Sequence, residues 1–289
     1  MIMNHLIENI KIARETLRIV REGRYRTSSG REVMLPSPSG YGTAEVIDTR
    51  QNRESVTRRN AGLFPCRFTV VAQDTFEAAR RISHPVVLSF ANAFVPGGAF
   101  LLGSGTQEES LCRRSALYAA ISSREAKGFY NYSRTHPVSQ PHGRILYVGD
   151  VCVFRGTDNG FLEKPYVVDV VSAAAPNRRG FDCLLSRRRR NEVIIDRIRA
   201  IAFAAAFHGR RSLVLGAWGC GAFGNSPEDV AGCFRRVLVD EGLSSFFDEV
   251  VFAIHGGENS RNFVAFQNAF SSLPETQKAV GIMRQRSNP

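Results

Sequence analysis

The 289-residue chain carries 38 Lys and Arg against 27 Asp and Glu, a net charge of +11 and a pI of about 9.8, with 43% hydrophobic residues. A globular α/β protein with a sizeable core is the default, as one large domain or two small ones, and no apolar run approaches the ~18 residues of a membrane span. The basic balance implies an anionic partner: a polyphosphate ligand, nucleic acid or an acidic protein surface.

Ile2, Leu6, Ile10, Ala13, Leu17 and Val20 recur at helical spacing and predict an amphipathic helix from Ile2 to Arg21, stopped by Gly23. The mixture of charged and apolar residues over Met1–Val20 argues against a signal peptide, and a cytoplasmic location is expected. From Arg24 to Gly62, with Pro36, Pro38, Gly40 and Gly42 close together, the composition predicts a long irregular wrap or a ligand-proximal flap. Phe68–Ala72 reads as the first core strand, followed by Asp74-Thr75 and a helix from Phe76 to about Ile82. Asp74 suits the N-cap of that helix. Val86-Val87-Leu88 reads as a buried parallel strand, ended by Pro96-Gly97-Gly98.

A helix starting at Gln107 behind a Thr106 N-cap takes Leu111, Ala116, Leu117, Ala120 and Ile121 as its apolar positions, and Gly128–Gly143 reads as a loop. Arg144–Phe154 predicts two short strands with Gly149-Asp150 as a turn or bulge between them. Tyr166–Ala175 predicts a strand whose small terminal residues leave room for a ligand. Asn191–His208 is helical behind the run Arg187–Arg190, which opposes the helix dipole and reads as a solvated basic face or an anion contact. Ser212–Leu215, Pro227–Asp240, Glu249–Ile254 and Ser260–Phe270 then alternate strand and helix, the order of a single sheet covered on both faces. The six cysteines show no CxxC pair and the six histidines no ligand spacing, so reduced thiols and no metal are expected.

Two glycine loops stand at predicted strand ends. In the first, the glycines let bare N–H groups approach a ligand, and after the seven residues that follow Ala99, Gln107-Glu108-Glu109 opens a helix. Thr106-Gln107-Glu108-Glu109 also fits a capping box, with Glu109 reaching back to the N-cap. Adjacent helical residues diverge by roughly 100°, so Glu108 and Glu109 are expected to take separate roles. The second loop holds Gly219, Cys220, Gly221, Ala222, Phe223 and Gly224, a literal GxGxxG. Ser226, Pro227, Glu228 and Asp229 already cap and neutralise the helix that follows, so the N–H groups from Gly219 to Phe223 are the better anion cradle. An ordinary tight turn with Phe223 in the core remains the alternative.

Gly97-Gly98-Ala99 followed at this distance by Gln107-Glu108-Glu109 resembles the signature of poly(ADP-ribose) glycohydrolases, a glycine triplet preceding QEE. Ala91-Asn92-Ala93 before it and Ser110–Ser115 after it are similar to the bacterial branch, and a fainter likeness extends from about Ala13 to Phe270. Ala99 stands at the third glycine, where its methyl is expected to disfavour a positive φ or obstruct a diphosphate.

The resemblance implies a macrodomain-like three-layer α/β/α sandwich over residues 66–280, an N-terminal helix and wrapping extension over 1–65, and a flexible tail over 281–289. It implies hydrolysis of the ribose–ribose O-glycosidic bonds of poly(ADP-ribose), releasing ADP-ribose without metal or cofactor. Glu109 is implied as acid/base, Glu108 as the residue orienting the ribose, Asp74 as the adenine contact and Phe223 as the platform under the distal ribose. Asn92, Gly97, Gly98, Ala99 and Gln107, with the second loop, complete the implied contacts. The alternatives are removal of single ADP-ribose units, a non-catalytic ADP-ribose reader, and a nucleic-acid binder using the basic surface. The implied partner is ADP-ribose or its polymer, free or on modified proteins, with nucleic acid open but not required and no membrane.

Overall fold

The computed structural model describes residues 2–37, 39–48, 66–140 and 143–271. Helix α1 spans Ile2–Glu22, and Gly23 ends it at a φ of +70°, a conformation that costs glycine little. The polar segment after it is more regular than its composition predicts. Strands β1 (Arg24–Arg26) and β2 (Glu32–Met34) form an antiparallel hairpin that turns Tyr25 and Val33 inward, and β3 (Ala44–Asp48) joins the main sheet. Three-residue strands are too short to show an alternation in sequence, which is why the segment reads as irregular. The rest of that expected connection, residues 49–65, and the expected tail, 281–289, lie outside the described residues.

The remaining strands are β4 (Arg67–Val71), β5 (Val86–Phe90), β6 (Arg144–Arg155), β7 (Phe161–Ala173), β8 (Ser212–Leu215) and β9 (Glu249–Ala253). Among the described residues they form a seven-stranded sheet in the order β3-β6-β7-β5-β8-β9-β4. Neighbours from β7 to β4 run parallel, while β6 and β3 close one edge antiparallel. Helices α2 (Thr75–Ala79), α3 (Gln107–Arg114), α4 (Leu117–Ile121) and α5 (Lys127–Thr135) cover one face. Helices α6 (Arg187–Phe207), α7 (Pro227–Arg235) and α8 (Arg261–Phe270) cover the other. The result is a three-layer α/β/α sandwich. Because both faces are covered, successive residues of the central strands are apolar, and Val86, Val87 and Leu88 are all buried. No helix among the described residues is long and apolar enough to cross a membrane.

Four local departures have physical causes. The helix expected from Gln107 to Ile121 breaks at Ser115, which is extended and bridges to Val153, while its hydroxyl donates to Leu111 O and accepts from Leu117 N–H. The two strands expected over Arg144–Phe154 are one, bulged at Gly149-Asp150. There Asp150 takes a φ of +53°, and its N–H donates to the fully buried Asp169 at 2.9 Å. Helix α5 forms where a loop is expected because it buries Phe129 and Tyr130. The expected helix over Pro227–Asp240 changes to a π turn at Arg236.

The arginine run falls inside α6. Ser186 caps the helix through Arg189 N–H, Arg187 pairs with Asp229, and Arg188 and Arg189 both pair with Glu192. Three of its four guanidinium groups thus have a carboxylate partner, two of them sharing Glu192. All the parallel strands deliver their carboxyl ends to one edge, where open α/β sheets bind ligands. That edge carries both glycine loops, Gln73-Asp74 after β4 and His255 after β9.

Candidate active site

Asn92 begins the first loop by accepting Phe94 N–H (2.8 Å) and Val95 N–H (3.0 Å) on its Oδ1, a side-chain turn that sends the chain back toward α3. Gly97 and Gly98 then sit at φ +66° and +56°. Ala99 does not: its φ is −100°, so the methyl group brings none of the strain expected of it. In this structure the loop's N–H groups also serve a purpose different from the expected one. Asn92 N–H donates to Glu108 Oε2 at 2.8 Å, Gly97 N–H also favours that carboxylate, and Ala99 N–H donates to Glu109 Oε1 at 3.0 Å. The first loop is a cradle for the acidic pair.

The two carboxylates converge where divergence was expected. A Cβ on Gly98 would lie 2.6 Å from Glu109 Oε1 and 3.3 Å from Glu108 Oε2, so both acids close on the same bare Cα. The capping-box alternative fails, because Glu109 turns to Ala99 N–H and the Thr106 hydroxyl donates to Glu109 Oε2 instead of capping the backbone. Both glutamates are buried. Burial pushes Glu108 up to about 8, the Asn92 N–H opposes this, and Glu109 adds to it. Glu108 Oε1 has no hydrogen-bond partner among the described residues, a position that a neutral acid tolerates at far lower cost than a carboxylate.

Gln107 acts as a brace. Its Oε1 accepts Phe90 N–H at 2.9 Å, and its Nε2 donates to Leu88 O at 2.8 Å and Thr75 Oγ1 at 3.3 Å, which ties the start of α3 to β5 and α2. The N-cap reading of Asp74 holds. Its Oδ1 caps α2 through Phe76 N–H and Glu77 N–H and receives Arg114 Nη1 at 2.7 Å, while Oδ2 takes no partner among the described residues. Arg114, buried and stacked over Phe76, links the acidic helix to this position. Sequence reasoning missed Arg114, since nothing in the local pattern gives a helix-end arginine a partner forty positions upstream.

The second loop packs tightly on the sheet. A Cβ on Gly219 (φ +73°) would lie 2.5 Å from the Ala175 Cβ, so the small residues ending β7 make room for this loop, not for a ligand as expected. Trp218 Nε1 donates to Ala173 O at 3.0 Å, and Asn225 Nδ2 bridges Pro176 O and Gly219 O. Cys220 N–H and Gly224 N–H close turns on Ala217 O and Gly221 O, and burial pushes the Cys220 thiol up to about 12. By contrast, the N–H groups of Gly219, Gly221, Ala222 and Phe223 find no acceptor among the described residues. Four such donors in one glycine-rich turn make an anion cradle.

A cleft of about 360 Å³ joins these parts. It is lined by Asp74, Thr75 and His255 beyond the ends of β4 and β9, by Gly219, Gly221, Ala222 and Phe223 of the second loop, and by Gly105, Thr106 and Gln107 at the start of α3. The start of α3, whose first N–H groups have no acceptor in the helix, lines the same cleft as the second glycine loop. Asn92, Gly97, Gly98 and Ala99 lie around the acids and, like Glu108 and Glu109, are not among the residues lining the cleft; Glu109 is linked to it by the hydrogen bond from the Thr106 hydroxyl. Thr75, Gly105, Thr106 and His255 are among the cleft residues that sequence reasoning leaves out of the site; Thr106 reads there only as a cap. Another cavity, of about 330 Å³ between α1 and the β1–β2 hairpin, is lined by charges that pair among themselves, as Arg18 with Glu22 and Arg24 with Glu32.

The profile of the microbial-type PARG catalytic domain matches residues 13–156. Among solved structures, poly(ADP-ribose) glycohydrolase from Thermomonospora curvata is 33% identical with a TM-score of 0.83, over 91% of this chain and 99% of that one. The Thermomonospora curvata enzyme bound to the inhibitor ADP-HPD superposes with a TM-score of 0.82 at 33% identity, over the same 91% and 99%. Poly(ADP-ribose) glycohydrolase from Deinococcus radiodurans in complex with ADP-ribose is 31% identical with a TM-score of 0.73, over 83% of this chain and 99% of that one. No curated protein sequence matches.

Proposed function

The chain belongs to the microbial-type poly(ADP-ribose) glycohydrolase family, and from that premise we propose that it hydrolyses ribose–ribose bonds of poly(ADP-ribose) with Glu109 as acid/base. On this reading its three-layer sandwich is macrodomain-like and the cleft holds one ADP-ribose unit. The adenine amino group lies against Asp74 Oδ2, and the diphosphate lies between the N–H groups of Gly219, Gly221, Ala222 and Phe223 and the start of α3. Phe223 supports the distal ribose, whose anomeric carbon then faces Thr106 and Glu109. Asn92, Gly97, Gly98, Ala99 and Gln107 act indirectly by fixing the acids.

Glycoside cleavage passes through an oxocarbenium-like transition state. Glu109 gives a proton to the bridging oxygen as the anomeric C–O bond breaks, which releases the neighbouring unit as an alcohol. Water then adds to the anomeric carbon and returns a proton to Glu109. Glu108, neutral near pH 7, lowers the negative charge beside the diphosphate and can donate to a ribose hydroxyl. The observation that carries this reading is the shared cleft, in which the second glycine loop, the acid-bearing helix start and Asp74 face one another.

Incubation with labelled poly(ADP-ribose) is expected to release ADP-ribose. Release from singly modified protein alone, with the polymer untouched, would favour the single-unit hydrolase; binding without any product would favour the reader. The negative φ of Ala99 removes the main reason for preferring either. A second test concerns Gly98, where Gly98→Ala is expected to lower kcat about tenfold and stability by ~2 kcal/mol, through strain at positive φ and the displaced carboxylates. An unchanged kcat would show that the acids need no such approach. Cysteines spread without a pairing pattern support a cytoplasmic setting.

A further inference from the structure

Beyond the acids, the edge of the sheet carries a turn that the cleft does not use. Residues 177–182 follow β7, which lies next to β5 on the side away from Asp74. The turn is firmly built: the buried Asp182 accepts Asn177 N–H at 2.7 Å, Ser139 N–H at 2.6 Å and the Ser139 hydroxyl at 2.8 Å, and Asn177 Oδ1 accepts Arg179 N–H at 3.0 Å. Even so, it holds Phe181 61% exposed. That ring meets Phe94 edge-on, 5.7 Å between centroids, and Phe94 O is itself gripped by Arg134 Nη2 at 2.9 Å.

On its other side the turn reaches the second glycine loop. Arg178 N–H donates to Phe223 O at 3.1 Å and its Nη1 to Gly224 O at 2.8 Å. Arg178 and Arg179 are exposed, and neither has a carboxylate partner among the described residues, unlike Arg187, Arg188 and Arg189 nearby. An exposed Phe181 edge-on to the half-buried Phe94, beside guanidinium groups without a carboxylate, matches a purine base followed by phosphate.

Direction settles which purine. With adenine at Asp74 and the scissile bond at Glu109, whatever continues past the acids toward β7 is the leaving group, an adenosine carrying its own diphosphate. Resting on the reading above, we propose that Phe181, Phe94 and Arg179 form a leaving-group subsite that holds the adenosine diphosphate portion of the next unit of the polymer. The subsite gives a chain of ADP-ribose units a grip that a single unit lacks.

The test separates this subsite from turnover. In the full chain carrying Glu109→Gln, a labelled trimer of ADP-ribose is expected to bind about tenfold tighter than free ADP-ribose. Adding Phe181→Ala and Arg179→Ala is expected to abolish that advantage and leave ADP-ribose affinity unchanged. Equal affinities for trimer and monomer before those changes would overturn the subsite, as would an advantage that survives them. Loss of ADP-ribose binding in the same variant would overturn it too, reducing the turn to a brace for the second loop. An oligoadenylate RNA of equal charge competing as well as the trimer would assign the surface to nucleic acid instead. Failure of the unsubstituted chain to cleave polymer would count against the proposed function alone, since the binding comparison needs no catalysis.

Discussion

Glu109→Gln is expected to lower kcat on poly(ADP-ribose) by about a thousandfold, within the range of a lost general acid, while ADP-ribose affinity stays within about twofold. The amide fits the site: its oxygen can still accept Ala99 N–H, and its NH₂ can donate to a rotated Thr106 hydroxyl. Shape and packing are retained, and only proton transfer is lost. Because the diphosphate cradle and Asp74 lie elsewhere in the cleft, ground-state binding does not depend on this carboxyl. Single-turnover assays with labelled polymer and calorimetry with ADP-ribose check both halves. A kcat within tenfold of the unsubstituted chain would remove Glu109 from the chemistry, and a parallel loss of binding would make it a structural residue.

The parts of this site readable in sequence are those encoded locally. Apolar runs of β-branched residues mark β4, β5 and β9, and the 3.6-residue period marks α1 and α6, because burial on a fixed face leaves a periodic trace. The free N–H groups of the second loop were legible for a similar reason, since only a glycine-rich turn after a strand exposes several N–H groups at once. What the first loop binds was not legible. Its glycines signal a close approach, but only the fold shows that Glu108 and Glu109 are what approaches Gly98. The negative φ of Ala99, the switch of Thr106 from cap to carboxylate donor and the grip of Arg114 on Asp74 likewise depend on how α3 docks on β5 and α2. Helix α5 escaped notice because Gly, Asn and Tyr are weak helix formers, and tertiary burial of Phe129 and Tyr130 overrides them.

Glu108→Gln is expected to stabilise the protein increasingly as pH rises. Burial holds this carboxyl at about 8 against an ordinary 4.5, so the folded chain binds a proton that the unfolded chain has already released. Stability from this group is complete below about pH 4.5 and is lost as pH rises through 8, at ~1.4 kcal/mol per pH unit in between. Glutamine, which never ionises, escapes that loss. The gap in unfolding free energy between the variant and the parent should therefore widen by roughly 2 kcal/mol from pH 5.5 to pH 7 and level off above pH 8, as read from urea melts. The alkaline fall in kcat expected near pH 8, where Glu108 becomes a negative charge beside the diphosphate, should disappear in the same variant. A gap independent of pH would mean that the folded chain keeps Glu108 ionised. The acid helix would then face the diphosphate with Glu108 charged, and the division of roles between its first two glutamates would have to be drawn again.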